Sequence, residues 1–191
     1  MGKLPVFTPE GFCDIEIQYI FPYHPYRNED GEINEEFMRP LDGYFLDLKE
    51  GKTESIKYFF KVLCDLLHHN EEIIAKYYLC AVPSSNPYNV PSPVQRICTL
   101  LSQAFDKKFD YSCALKRVEK INKLATGGAR NPQIHFNSIE VDSNYDVEGI
   151  NIILLDDITT TGNSLAACKK ILLRAGASDV ICLAIGRTTR L

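Results

Sequence analysis

Two adjacent carboxylates, Asp156 and Asp157, follow an apolar run and precede a short segment rich in hydroxyl groups. The stretch from residue 152 reads Ile-Ile-Leu-Leu-Asp-Asp-Ile-Thr-Thr-Thr-Gly-Asn-Ser. The apolar run predicts a buried strand, and the residues from Gly162 onward predict a helix, so the polar residues lie where the strand ends. Ligands of open α/β sheets bind at this end of the strands. The stretch therefore predicts a ligand site.

The residue types in this stretch suit a sugar phosphate. Backbone N–H groups at the start of a helix bind phosphate, and the helix dipole favours its negative charge. The hydroxyl groups of Thr160, Thr161 and Ser164 can donate further hydrogen bonds. Asp156 and Asp157 would repel a phosphate, but ionised carboxylates accept hydrogen bonds from a vicinal diol. A phosphate with a diol one sugar-length away describes a ribose 5-phosphate.

The same residues resemble the phosphoribosyl-pyrophosphate (PRPP) signature of the type I phosphoribosyltransferases, in which four apolar residues, two acids, Thr-Thr-Gly and a further hydroxyl follow one another. This resemblance implies that Asp156 and Asp157 are the catalytic pair and hold the two ribose hydroxyls. It implies a 5-phosphate loop made of Thr159, Thr160, Thr161, Gly162, Asn163 and Ser164. An ordinary strand–turn–helix with a threonine cap is the alternative interpretation.

A second segment resembles the pyrophosphate loop of that family. It reads Ala-Val-Pro-Ser-Ser-Asn and follows an apolar run at residues 77–82 that predicts a strand. The resemblance implies that Ser84, Ser85 and Asn86 approach the pyrophosphate, with Tyr88 as a weaker candidate; a solvated Asn-Pro turn is the alternative. Because pyrophosphate carries several negative charges, Mg²⁺ is the expected cofactor, bound through PRPP and not directly by the protein.

A basic segment without clear periodicity extends from Lys116 to about residue 137, with Thr-Gly-Gly at residues 126–128 as its hinge. The resemblance implies a mobile loop that closes over the reacting centre, and long irregular segments of compact domains are often such lids. The candidate lid residues are Lys116, Arg117, Arg130 and His135. A solvated basic face and a contact with nucleic acid are the alternatives. His68 and His69 lie at a predicted helix end, where they are expected to cap carbonyl groups.

The remaining pattern predicts an α/β fold with a doubly wound, mostly parallel sheet, because strands and helices alternate from residue 77 onward. Helices are predicted at residues 53–70, 93–105 and 162–175, and strands at 77–82, 112–115, 138–141, 150–155 and 179–185. Residues 12–20 and 43–49 predict two further strands that pair with each other, joined by a loop over 23–39. We expect an N-terminal hood at residues 1–45 and a phosphoribosyltransferase-like core at 46–191.

The composition of the 191 residues is that of an ordinary globular protein, with 45% hydrophobic and 24% charged residues. The formal net charge of -4 argues against global nucleic-acid binding. No apolar run approaches the roughly 20 residues of a membrane span, and no signal-peptide pattern is present, so we expect a cytoplasmic protein without a membrane partner. Seven scattered cysteines without a Cys-x-x-Cys pair predict buried, reduced thiols.

The resemblance, closest to the competence-protein (ComF-like) branch, implies transfer of ribose 5-phosphate from PRPP to a nitrogen acceptor with release of pyrophosphate. It is strong from residue 150 onward and weaker over residues 40–150. The base-recognition signatures of the orotate, hypoxanthine and adenine enzymes are not found. Two alternatives remain: a regulatory protein that senses PRPP or nucleotides with little turnover, and a nucleic-acid-associated accessory protein. The sequence leaves a homo-oligomer open.

Overall fold

The computed structural model describes residues 6–8, 11–13, 16–27, 30–37, 41–86, 88, 91–118 and 138–189. Within these ranges the chain forms, in order, β1 (Val6–Thr8), β2 (Gly11–Cys13), β3 (Ile17–Tyr23), α1 (Leu41–Lys49), α2 (Thr53–His68), α3 (Glu71–Lys76), β4 (Tyr78–Ala81), α4 (Pro93–Ala104), β5 (Leu115–Arg117), β6 (Ile139–Val141), β7 (Asn151–Thr159), α5 (Asn163–Arg174) and β8 (Asp179–Thr188).

The central sheet has four strands in the order β3-β8-β7-β4, and each neighbouring pair is parallel. The prediction of an α/β fold with a mostly parallel sheet is therefore confirmed. Two small antiparallel pairs, β1 with β2 and β5 with β6, complete the described strands. Ala81, the last residue of β4, pairs with Leu155 of β7. The loop after β4 and the carboxylates after Leu155 therefore begin side by side.

Helices cover both faces of the sheet, and β7 contributes side chains to two cores. Ile152 and Leu154 pack into a core that includes α5, β5 and β6, whereas Ile153 and Leu155 pack against α1, α2 and α4. A strand that is buried on both faces reads as a continuous apolar run, because neither set of alternating side chains meets water. This explains the unbroken hydrophobic run that precedes Asp156.

The three predicted helices are present as α2, α4 and α5, with ends within two residues of those predicted. Ser92 caps α4 as expected from Ser-Pro: its Oγ accepts from Gln95 N at 3.3 Å, and Gln95 Oε1 accepts from Ser92 N at 2.7 Å. This reciprocal capping box satisfies two backbone donors that the helix would otherwise leave without partners. The short helix α3 was not predicted.

The prediction of a strand at residues 43–49 is wrong, because this segment is helix α1. Phe45 and Leu48 are both buried, and the spacing of Leu41, Phe45 and Leu48 places them on one helical face. The buried carboxylate of Asp42 accepts a hydrogen bond from His24 N at 3.0 Å, and His24 Nδ1 lies 3.2 Å from its other oxygen. These contacts attach the first turn of α1 to the chain that follows β3.

Strand β3 belongs to the central sheet, which corrects its assignment to an N-terminal hood. It pairs in parallel with β8, from Ile17 opposite Cys182 to Tyr23 opposite Thr188. Most side chains of β8 are buried. Without β3, the backbone of β8 would be an unpaired sheet edge. None of the described helices is long and apolar enough to cross a membrane.

Candidate functional site

A cleft of about 450 Å³ opens at the carboxyl ends of β4 and β7. It brings together residues from two of the segments that the sequence singled out: Ser84, Ser85, Asn86, Asp156, Asp157 and Ser164. The carboxyl ends of adjacent parallel strands form the ligand-binding edge of open α/β sheets. The parallel pairing of β4 with β7 therefore accounts for the meeting of segments that lie about 70 residues apart in the chain.

Both carboxylates line this cleft, although β7 continues to Thr159. Asp156 Oδ1 accepts a hydrogen bond from Asp157 N at 2.9 Å, and Asp157 Oδ1 accepts one from Ile158 N at 2.6 Å. In each side chain one oxygen is thus fixed by the backbone amide of the next residue. Both carboxyl groups line the same cleft, and a side-chain hydrogen bond also joins them to each other.

Burial raises the pKa of the Asp156 carboxyl well above its usual value. The negative charge of Asp157 and a hydrogen bond with it raise this pKa further, whereas the backbone N–H of Asp157 and the charge of Lys49 act in the opposite direction. Asp156 therefore holds its proton to a higher pH than an ordinary carboxyl group. A ligand that brings positive charge into the cleft would favour the ionised pair.

The segment between β7 and α5 turns tightly into the helix and is fixed to the neighbouring strand. Gly162 has a φ of +76° at the N-cap of α5, a conformation that a residue with a Cβ adopts at a cost. The hydroxyl oxygens of Thr160 and Thr188 lie 2.9 Å apart, which ties the loop to the end of β8. The Oδ1 atom of Asn163 is buried without a hydrogen-bond partner, so this acceptor is left for a donor that the described residues do not supply.

The structure divides the six residues predicted for the 5-phosphate loop. Ser164 lines the cleft, whereas Thr159 is 3% exposed and ends β7 inside the protein. The remaining four residues adjoin the cleft in sequence without lining it: Thr160, Thr161, Gly162 and Asn163.

Arg117 holds the loop at residues 83–86 from behind. It is 7% exposed; its Nε donates to Ser84 O at 2.6 Å and its Nη2 to Pro83 O at 3.4 Å. Its Nη1 donates to Ser138 Oγ at 2.7 Å, next to β6. Burial lowers the pKa of Arg117, and the negative charge of Asp156 opposes this effect. A buried guanidinium therefore links this loop to the start of β6.

The assignment of Lys116 and Arg117 to a mobile lid is wrong, because both lie in strand β5. Lys116 Nζ is 3.1 Å from Glu140 Oε1 and 3.7 Å from Asp142 Oδ2, and Arg117 is held as described above. Arg130 and His135, with the other residues from 119 to 137, lie outside the described residues. His69 Nδ1 donates to Asp65 O at 2.6 Å, which confirms its capping role, while the His68 ring packs on Phe105.

Lys49, at the end of α1, lines the cleft and was missed by sequence reasoning. Its side chain is exposed, and Nζ lies 5.4 Å from the centre of the Tyr23 ring. The helical spacing of Leu41, Phe45 and Leu48 is the signal that could have found it. This spacing predicts a helix that ends at the residue after Leu48, which is Lys49.

Comparison with protein-family models and with curated proteins found no match. In the part of the chain that the structure describes, no group of three or more His, Cys, Asp or Glu residues is arranged to hold a metal ion.

Proposed function

We propose that this protein transfers ribose 5-phosphate from PRPP to a nitrogen acceptor and releases pyrophosphate. The observation that carries the proposal is the meeting of the carboxylate pair with the loop at residues 83–86 in one cleft. Sequence alone related each segment to a different part of the same substrate. Their arrangement around a single space of about 450 Å³ supports one ligand that reaches both.

In this proposal the 5-phosphate binds at the start of α5, where backbone N–H groups and the hydroxyl of Ser164 are available. The positive φ of Gly162 allows the chain to turn tightly into the helix. The ribose lies over Asp156 and Asp157, whose outer oxygens accept hydrogen bonds from its two hydroxyls. The diphosphate extends toward Ser84, Ser85 and Asn86.

The proposed reaction breaks the bond between ribose C1 and the diphosphate oxygen and forms a bond between C1 and the acceptor nitrogen. Positive charge develops on the ribose ring as the leaving group departs, and the carboxylate pair stabilises that charge. The loop at residues 83–86 and Arg117 position the diphosphate and its departing oxygen. Mg²⁺, when bound to the diphosphate, neutralises part of its negative charge.

The direct test is release of pyrophosphate from PRPP with Mg²⁺ and a panel of nucleobases, nucleosides and amines. We expect at least one acceptor to produce release, and Asp157→Asn to lower the rate. Asp179→Asn is the matched control, because Asp179 begins β8 at the opposite end of the sheet from the cleft. Its Oδ2 atom accepts a hydrogen bond from Tyr77 Oη at 2.5 Å. Binding of PRPP without release for any acceptor would favour a sensor of PRPP, and absence of PRPP binding would refute both.

A further inference from the structure

Lys49 and the loop at residues 83–86 are carried by elements on opposite sides of β7. That loop follows β4 on one side of β7, whereas α1 packs on β8, on the other side of β7. The positive charge of Lys49 also lowers the pKa of the Asp156 carboxyl. Lys49 therefore lines the same cleft as the carboxylate pair and the loop, from an element of its own.

Among the described residues, no carboxylate lies within ion-pair distance of Lys49. Lys52, in the same part of the chain, has Nζ 2.6 Å from Asp47 Oδ1 and 3.0 Å from Glu50 Oε2. The described neighbour of the Lys49 ammonium is instead the Tyr23 ring, 5.4 Å away. A ring face attracts a cation without neutralising its charge. Lys49 therefore lines the cleft without a close ion-pair partner among the described residues, and its charge acts on the carboxylate pair at longer range.

The backbone that carries Lys49 is fixed by close packing. Phe45 is fully buried, and its ring occupies the space beside Gly186 of β8, where an added Cβ would come within 2.8 Å of two ring carbons. The Phe45 ring also meets the Tyr23 ring edge-on, with 5.2 Å between their centres. A helix seated this closely on the sheet holds the start of the Lys49 side chain in one place, so less entropy is lost when it binds an anion.

We propose that Lys49 binds an anionic group of the ligand other than the 5-phosphate, so that the cleft selects ligands with two separate anionic groups. This inference rests on the proposed function for the position of the first group. The second group is either the diphosphate of PRPP or an anionic oxygen, such as a carboxylate, of the acceptor. In both cases the chemistry is an ammonium group that meets an anionic oxygen beside the ribose.

The experiment compares the wild type with Lys49→Met, which keeps the length of the side chain, and Lys49→Arg, which keeps its charge. Lys57→Met is the matched control, because Lys57 is an exposed lysine of α2 that pairs with Glu54 at 3.0 Å. Calorimetry with Mg²⁺ measures the affinity for ribose 5-phosphate, PRPP, inorganic pyrophosphate, uracil and uracil 6-carboxylate. Because Lys49 is exposed, Lys49→Met should keep the melting temperature of the wild type.

We expect Lys49→Met to bind ribose 5-phosphate as the wild type does and to lose about tenfold or more in affinity for one group of probes. A loss for PRPP and pyrophosphate identifies the diphosphate, and a loss for uracil 6-carboxylate but not uracil identifies the acceptor. Lys49→Arg and Lys57→Met should bind every probe with the affinity of the wild type.

An equal loss for ribose 5-phosphate, or no loss for any probe, would overturn the inference. A wild type that binds pyrophosphate through Lys49 but does not bind ribose 5-phosphate would refute the proposed function and leave the role of Lys49 intact.

Discussion

Replacing Arg117 by Gln should release the loop at residues 83–86 from the body of the protein. The guanidinium donates to Ser84 O, Pro83 O and Ser138 Oγ, and two of these bonds are short, at 2.6 and 2.7 Å. Gln is shorter and cannot reach both sides of the gap that Arg117 spans. At least one buried acceptor is then left without a donor.

The cost follows from these contacts. A hydrogen bond from a charged donor contributes about 1.5–3 kcal/mol, so two short bonds give about 3–6 kcal/mol. Removing the buried charge offsets part of this loss, because burial disfavours the charged guanidinium, as its lowered pKa shows. We therefore expect Arg117→Gln to lower the free energy of unfolding by about 2–4 kcal/mol.

The loss should also be specific for one part of the ligand. Urea denaturation measures the free energy of unfolding, and calorimetry measures binding of pyrophosphate and of ribose 5-phosphate at a temperature where the variant is folded. We expect Arg117→Gln to weaken pyrophosphate binding more than ribose 5-phosphate binding, and Arg117→Lys, which keeps the charge without the fork of donors, to lie between the two proteins. Equal losses for the two ligands, or an Arg117→Lys variant as stable as the wild type, would refute this role for the guanidinium.

Three further outcomes are expected. The raised pKa of Asp156 gives a contribution to stability that is present at low pH and is lost as pH rises through that pKa. Asp156→Asn should therefore be more stable than the wild type at pH 8, by a margin that shrinks toward pH 4. Denaturation at both pH values measures this difference in stability, and an equal effect at both would contradict the expectation. Asp157→Asn should weaken ribose 5-phosphate binding about ten- to a hundredfold while binding phosphate at least as well as the wild type, and parallel responses in calorimetry would show that the carboxylate does not contact the diol. Gly186→Ala should lower stability by about 1–3 kcal/mol through its contact with the Phe45 ring, and thermal unfolding that matches the wild type would show that α1 shifts freely.

The sequence by itself determined the segment from β7 to α5, because every signal there is local. Residues 152–155 are apolar in succession, which suits a strand buried on both faces, and Gly162 supplies the positive φ at which α5 begins. The capping box of α4 is also encoded within four residues. Because these signals lie within a few residues of one another, the strand, the turn and the helix could be predicted from the sequence.

Tertiary structure alone decided the other side of the site. Residues 43–49 contain apolar residues that fit either a strand or a helix, and helix α1 results from a partner more than 130 residues away, since Phe45 packs beside Gly186. Strand β3 joins the sheet through β8, which is also more than 130 residues away in sequence. Strand β5 places Arg117 within hydrogen-bond distance of Ser84 O, and helix α1 places Lys49 at the cleft. Burial between remote segments has no local pattern, so the sequence placed Asp156 and Asp157 at the end of a strand but missed Lys49 and assigned Arg117 to a lid.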